Sequence, residues 1–590
     1  MAGTACVRPA RAPDKPGTPA QTNPAANLAR LAEQFWEEHL AADPIEGTLL
    51  GYPRFDALMP DESAVGRAAQ RGRLMALRSR LDLEAPADPL SPADRLTRDL
   101  LLGEVDRELA FADCHLEEWV VDPRDGPQVA YLDLAGLQGV KTPADRLAML
   151  TRWRAMPRAI DQRIENLRRG LEAGKTSARS EVERVARQLD ELLATPDAAW
   201  PLVAPVERAA IADPTERQRF HDDLVRVVAD GIRPAFTRYR ALVREQLLPR
   251  ARGDADVGIG HLVGGAACYT ALARAHTSLA VDPAAVHATG LRELARIRAE
   301  MEALGTAAVG ASTFQDLQRK LREADPARFF LSRDDVEASA RETLARATAA
   351  MPRFLGRIPR TPCVVKRIQP HEEKDSPIAY YRLPAIDGSR PGAYEVNTYD
   401  PTSRPRFEAE ALAFHEAIPG HHVQIALAQE LGDVAEFRKH LGVTAFVEGW
   451  GLYAEGLADE LGLYSGPLTR LGRLSLESWR AARLVVDTGI HALGWSRAQA
   501  VAFLRDNTLI AQNNIETEVD RYIGWPGQAL AYKVGELEIL RLRADARQRL
   551  GAAFDLRRFH DVVLGSGAVS LPVLAASVNA WVRAQVSPAR

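Results

Sequence analysis

The sequence predicts a mainly α protein with one small β-sheet. Long stretches place apolar residues three and four apart among charged ones, the spacing of helices that bury one face. Proline-rich joints at 83–92, 122–127 and 200–205 separate these stretches. Strand-like alternation is confined to a short region, 363–398, just before the most polar motif in the chain.

Taken in order, residues 1–26 are rich in Pro, Ala, Gly and Thr and have the composition of a disordered tail. From Asn27 the pattern turns helical, with Leu28, Leu31, Phe35 and Leu40 on one side. The clearest further helices are 91–113, 143–175, 178–196, 215–250, 283–304 and 334–350. Residues 363–368, 378–383 and 393–398 read as strands, the last two joined by a Gly- and Pro-containing loop at 387–392. Residues 400–405 then form a loop and helix cap. An N-terminal helical region (27–275) and a catalytic region (276–590) follow from this layout, and no internal repeat is visible.

At 590 residues, 46% apolar and 26% charged, the chain has the composition of an ordinary globular protein and the length for two large lobes. A net charge of −4 gives no electrostatic case for nucleic acid or an anionic membrane. No apolar run approaches the ~20 residues that span a bilayer. Cys6, Cys114, Cys268 and Cys363 are far apart and form no C-x-x-C pair, which argues against a disulfide framework and against a thiolate metal site. A cytoplasmic location is therefore the default expectation. Thr4-Ala5-Cys6 resembles the end of a lipoprotein signal, so export follows only if the true start lies upstream of Met1.

The chemistry concentrates in His415-Glu416-Ala417-Ile418-Pro419-Gly420-His421-His422. It resembles H-E-x-x-H, in which two histidines bind zinc and the glutamate beside the first activates water. Here the second histidine comes at +6, across a Pro-Gly pair. In an unbroken helix +6 would point two side chains about 120° apart. Pro419 breaks the hydrogen-bond ladder, and a bulge absorbing two residues would return His421 to the usual ligand position. His415 and His421 are thus the expected ligands, with His422 as the alternative, and Glu416 is the expected base. Glu448, in an apolar helical stretch 27 residues after His421, is the expected third ligand. Glu455, on the same face, is placed to orient a ligand histidine. Arg483, Asp487 and His491 recur every four residues as one polar stripe, suited either to a salt-bridged face or to substrate, with Arg483 able to hold a substrate carboxylate. Tyr532 or Tyr522 offers a phenol for an oxyanion, as does the His491 imidazole.

The set HEAIPGHH, FVEGWGLYAEGL, RLVVDTGIHALGWS and RYIGWPGQALAYKVGELEI resembles the bacterial domain-of-unknown-function family 885. With the segments 259–269 and 286–291, the resemblance covers about residues 30 to 585. That family is in turn similar to helical zinc peptidases such as thimet oligopeptidase and angiotensin-converting enzyme. The resemblance implies two helical lobes around a channel, one zinc ion, His421 as second ligand and Glu448 as third. The two-residue insertion carrying Pro419 departs from the peptidase pattern.

The resulting expectation is a zinc-dependent hydrolase that cleaves short peptides or a related amide through a metal-activated water. The alternatives are a small-molecule amide or C–N hydrolase of the same fold, and a helical binding protein without turnover. The sequence sets no oligomeric state.

Overall fold

A computed structural model describes residues 23–586, apart from 323–327, 369–372, 374–377 and 385–389. Most of the predicted tail, Cys6 and half of the loop at 387–392 lie outside the described residues. The fold is mainly α with one three-stranded sheet, as the sequence predicts.

Helix starts are written locally. Pro24, Pro92, Pro143 and Pro283 each open a helix, where the missing N–H costs nothing. The residue before each accepts from the first turn through its side chain, as Ser91 Oγ does from Asp94 N at 3.2 Å. Thr142 and Asp145 form a reciprocal capping box. The stretch 215–250 departs from the single regular helix expected. It runs as Pro214–Val227, a π-helical turn Val228–Ile232, Arg233–Ala241 and a second π turn Leu242–Leu247. Pro234 and Pro249 cannot donate to the ladder and crowd the carbonyl four residues back, and widening the preceding turn relieves this.

One hydrophobic core joins Leu31, Phe35 and Leu81 from the N-terminal helices to Phe414, Phe446 and Trp450 beside the motif and to Phe559 and Leu574 near the C-terminus. A second is built from residues 121–251, among them Trp153, Ile160 and Val185. The first core therefore draws on residues before and after 275.

The sheet comprises β1 (Cys363–Arg367), β2 (Ala379–Arg382) and β3 (Gly392–Val396) in the order β1-β3-β2. β3 is central and buried throughout, parallel to β1 and antiparallel to β2, with Cys363 opposite Gly392 and Ala379 opposite Val396. It lies directly before the motif helix, Arg406–Glu416.

The glutamate helix, Thr444–Glu460, crosses the helix Ala531–Leu550 at Gly449 and Gly535. A Cβ on Gly535 would fall 1.8 Å from the Ala445 carbonyl oxygen, and one on Gly449 would lie 2.5 Å from Gly535 Cα. The two backbones touch, and only glycine permits it.

One expectation is corrected. Cys114, closing the helix Pro92–Cys114, and Cys268, in the helix Gly265–Thr277, form a disulfide with Cα atoms 5.3 Å apart. Packing of the two helices joins residues 154 apart in sequence, so spacing along the chain carries no sign of the bond. Cys114→Ser or reduction should cost about 2–4 kcal/mol, which thermal unfolding with and without a reductant measures.

Candidate metal centre

The motif helix stops at Glu416 and a new helix, His421–Gln429, starts five residues later. A tight turn links them: Gly420 N donates to Phe414 O at 3.0 Å and His422 N to Ala417 O at 3.1 Å. Gly420 passes so close to the end of the motif helix that a Cβ there would lie 1.8 Å from His415 O. The buried indole Trp450 Nε1 donates to Pro419 O at 2.9 Å and ties the turn to the glutamate helix. The two extra residues are thus taken up by a helix break rather than by a bulge in one continuous helix.

This turn brings His415, His421 and Glu448 together, with one ligand-type atom from each lying within 4.8 Å of the others. Glu448 Oε2 is 3.5 Å from His415 Nε2 and 3.6 Å from His421 Nε2. Ligands ~2.0–2.1 Å from a tetrahedral zinc stand roughly 3.3–3.4 Å apart, so the donor set fits such an ion with little movement. His415 Nδ1 pairs with Glu455 Oε1 at 2.8 Å, which leaves Nε2 facing Glu448 and His421. Gly451 makes room for this ring, because a Cβ there would sit 2.7 Å from His415 Cε1. Burial alone would lower the His415 pKa, but Glu448 and Glu455 lift it to about 10. Burial would raise Glu448, and the two imidazoles instead hold it well below the usual carboxylate range. The pocket is built for positive charge. Two buried polar atoms, His421 Nδ1 and Glu455 Oε2, have no hydrogen-bond partner.

Removing the Glu455 carboxylate frees the His415 ring to rotate and to change tautomer. Glu455→Ala should weaken metal affinity by about 10- to 100-fold, read by competition with a chromophoric chelator.

The triad opens into a cavity of about 500 Å³ that Glu416 and Tyr532 also line. The Glu416 side chain makes no hydrogen bond among the described residues, so its carboxylate is free to meet a ligand. Tyr532 stacks under Arg483, whose Cζ is 4.4 Å from the ring centre, and its hydroxyl accepts from Arg521 at 3.4 Å.

The remaining sequence candidates lie elsewhere. His422 is directed at the sheet, with Nδ1 2.9 Å from the Tyr381 hydroxyl and Nε2 3.1 Å from Thr361 O. Burial lowers its pKa to about 4, and it is not one of the triad. Tyr522 does not line the cavity. Its hydroxyl is held by Trp479 Nε1 at 2.8 Å and Arg483 Nε at 3.0 Å. His491 is fully enclosed, accepting from Ile259 N at 3.1 Å and meeting Tyr522 O at 2.8 Å. Both brace the wall from behind. Arg483 lines the cavity but is already paired with Glu518 at 3.2 Å.

Among the lining residues that sequence reasoning did not single out are Tyr394, Glu408 and Arg480. Tyr394 follows from the pleat, since it shares a face of β3 with Val396, which also lines the cavity. Glu408 lies seven residues, about two full turns, before His415, and burial raises its pKa while the Ser475 hydroxyl, 2.7 Å away, partly offsets this. Ile378 and Ala379, at the edge strand β2, complete that side.

A family model described as bacterial protein of unknown function (DUF885) matches residues 44–578. The crystal structure of a candidate lipoprotein from Colwellia psychrerythraea is similar over 95% of this chain and 100% of its own, with TM-score 0.90 and 27% identity. A candidate lipoprotein of unknown function from Shewanella oneidensis shares the fold over 93% of this chain and 99% of its own, with TM-score 0.73 and 18% identity. No curated protein matches.

Proposed function

This chain belongs to the bacterial protein family of unknown function DUF885, and from its site we propose a metal-dependent hydrolase, in the first place a zinc peptidase acting on short peptides or a related amide. The observation that carries the reading is the triad His415, His421 and Glu448 with Glu416 unbonded beside it in one cavity wall. A dication held by the three would polarise a carbonyl oxygen and lower the pKa of a water. Glu416 takes the proton of the attacking water and passes it to the leaving nitrogen. Glu455 keeps His415 in the ligating tautomer. The phenols of Tyr532 and Tyr394 are the donors available to a developing oxyanion. β2 is an edge strand of the sheet among the described residues, and with Ile378 it brings Ala379 to the cavity, where an extended substrate would lie alongside. The similarity to helical zinc peptidases is part of this proposal.

Elemental analysis after removal of loosely bound ions should find about one zinc per chain. Short peptides run beside N-acyl amino acids then separate a peptidase from a small-amide hydrolase. A protein that holds no metal even after incubation with zinc would overturn the reading.

The proposal extends to location. No helix among the described residues is long and apolar enough to cross a membrane. The Cys114–Cys268 disulfide belongs to oxidising compartments, and the Colwellia relative is described as a candidate lipoprotein. Both favour export over the cytoplasmic location first expected. Alkylation of intact cells should leave these two cysteines unlabelled until a reductant is added.

A further inference from the structure

Arg480 lines the cavity and forms no ion pair among the described residues. It is 5% exposed, and its guanidinium makes one hydrogen bond, from Nη1 to Leu476 O at 3.4 Å. Its Nε is buried without a partner, and no carboxylate lies within ion-pair distance of it among the described residues. Its neighbours Arg483 and Arg521 each also have one buried nitrogen without a partner, but both hold a carboxylate. Arg483 donates to Tyr522 and pairs with Glu518 at 3.2 Å. Arg521 pairs with the same Glu518 at 3.4 Å and donates to Gln528 at 2.8 Å.

Three guanidiniums thus share one close carboxylate. Glu408 faces Arg480 at longer range without an ion pair, and burial raises its pKa. Leaving a guanidinium buried and unpaired is unfavourable, and an arriving anion relieves this. The side chain is also prepared for one. Arg480 Cζ lies 4.7 Å from the centre of the Trp479 ring and Arg483 Cζ 4.5 Å from it, so the indole orients both planar groups without using their N–H donors. A carboxylate matches that fork geometry.

We propose that Arg480 anchors a free carboxylate of the substrate, so that the site selects short peptides with an unblocked C-terminus and, among small amides, N-acyl amino acids. The C-terminal carboxylate is the one that every such peptide carries whatever its side chains. Arg483, the arginine first singled out by sequence periodicity, supports the wall through Glu518 and Tyr522 instead. The inference rests on the hydrolase reading for its chemistry, and its test is built to fail separately.

Pairs of short N-acetylated peptides, each as free acid and as C-terminal amide, are supplied to the metal-loaded wild-type protein. The free acid should have the higher kcat/KM, by about 10- to 150-fold. Arg480→Gln should remove that advantage mainly through KM, while Arg480→Lys should restore part of it. The same pairs are titrated by calorimetry into the Glu416→Gln protein, where binding is read without turnover. Equal handling of acid and amide by the wild-type protein, in turnover or in binding, would overturn the proposal and leave the hydrolase reading standing. Tighter binding of the acid without hydrolysis of either form would do the reverse. The wild-type comparison decides even if Arg480→Gln fails to fold.

Discussion

Glutamine at position 416 should leave the bound metal in place and lower peptide turnover by about 10²- to 10⁴-fold. The substitution keeps the volume of the side chain and removes its ability to take a proton. Glu416 is not one of the three clustered ligand residues and its side chain makes no hydrogen bond among the described residues, so its loss leaves His415, His421 and Glu448 undisturbed. Metal content, measured on the variant and the wild type together, separates a lost base from a lost site. Retention of most activity by Glu416→Gln would mean that another group accepts the proton.

Gly535→Ala should be among the most damaging single methyl additions in the protein. The new Cβ would meet the Ala445 carbonyl oxygen at 1.8 Å and Gly449 Cα at 2.8 Å, both rigid backbone. No side-chain rotation relieves that contact, so the helices Thr444–Glu460 and Ala531–Leu550 must separate. Overpacking typically costs about 1–3 kcal/mol, and a clash with backbone belongs at or beyond the upper end. Glu448 sits next to Gly449 and would move with its helix, so metal affinity should fall together with the melting temperature. A variant that loses stability but binds metal as well as the wild type would show that the crossing does not fix Glu448.

The sequence reveals the residue types at this site more readily than their pairing. His415, Glu416, His421 and Glu448 were legible because local spacing and an apolar context mark them, and the three proposed ligands do meet in space. The stripe of Arg483, Asp487 and His491 was legible as one helix face, but periodicity cannot say what that face meets. Asp487 accepts from the Tyr269 hydroxyl at 2.6 Å and from Gly527 N, and His491 is capped by Ile259 N, all on other elements. Arg480 and Arg483 are alike in sequence and differ in what they meet, Arg483 pairing with Glu518 and donating to Tyr522. The Cys114–Cys268 bond was hidden for the same reason, since it is made by packing between helices far apart in the chain. Among the helices, boundaries set by Pro and by Ser, Thr or Asp caps were readable, whereas the two π turns in 228–247 answer to prolines that single-period reasoning passes over.

The space under His415 has a use in sorting relatives. A chain can keep HEAIPGHH and the downstream glutamate and still lack a working centre if the residue three places after that glutamate carries a side chain. Gly451 occupies that place here, and any Cβ there would press on the imidazole ring. Glycine at this position, read together with the histidines, is therefore a sharper marker of metal competence than the motif alone. Members that have lost it are where a binding role without catalysis is to be sought.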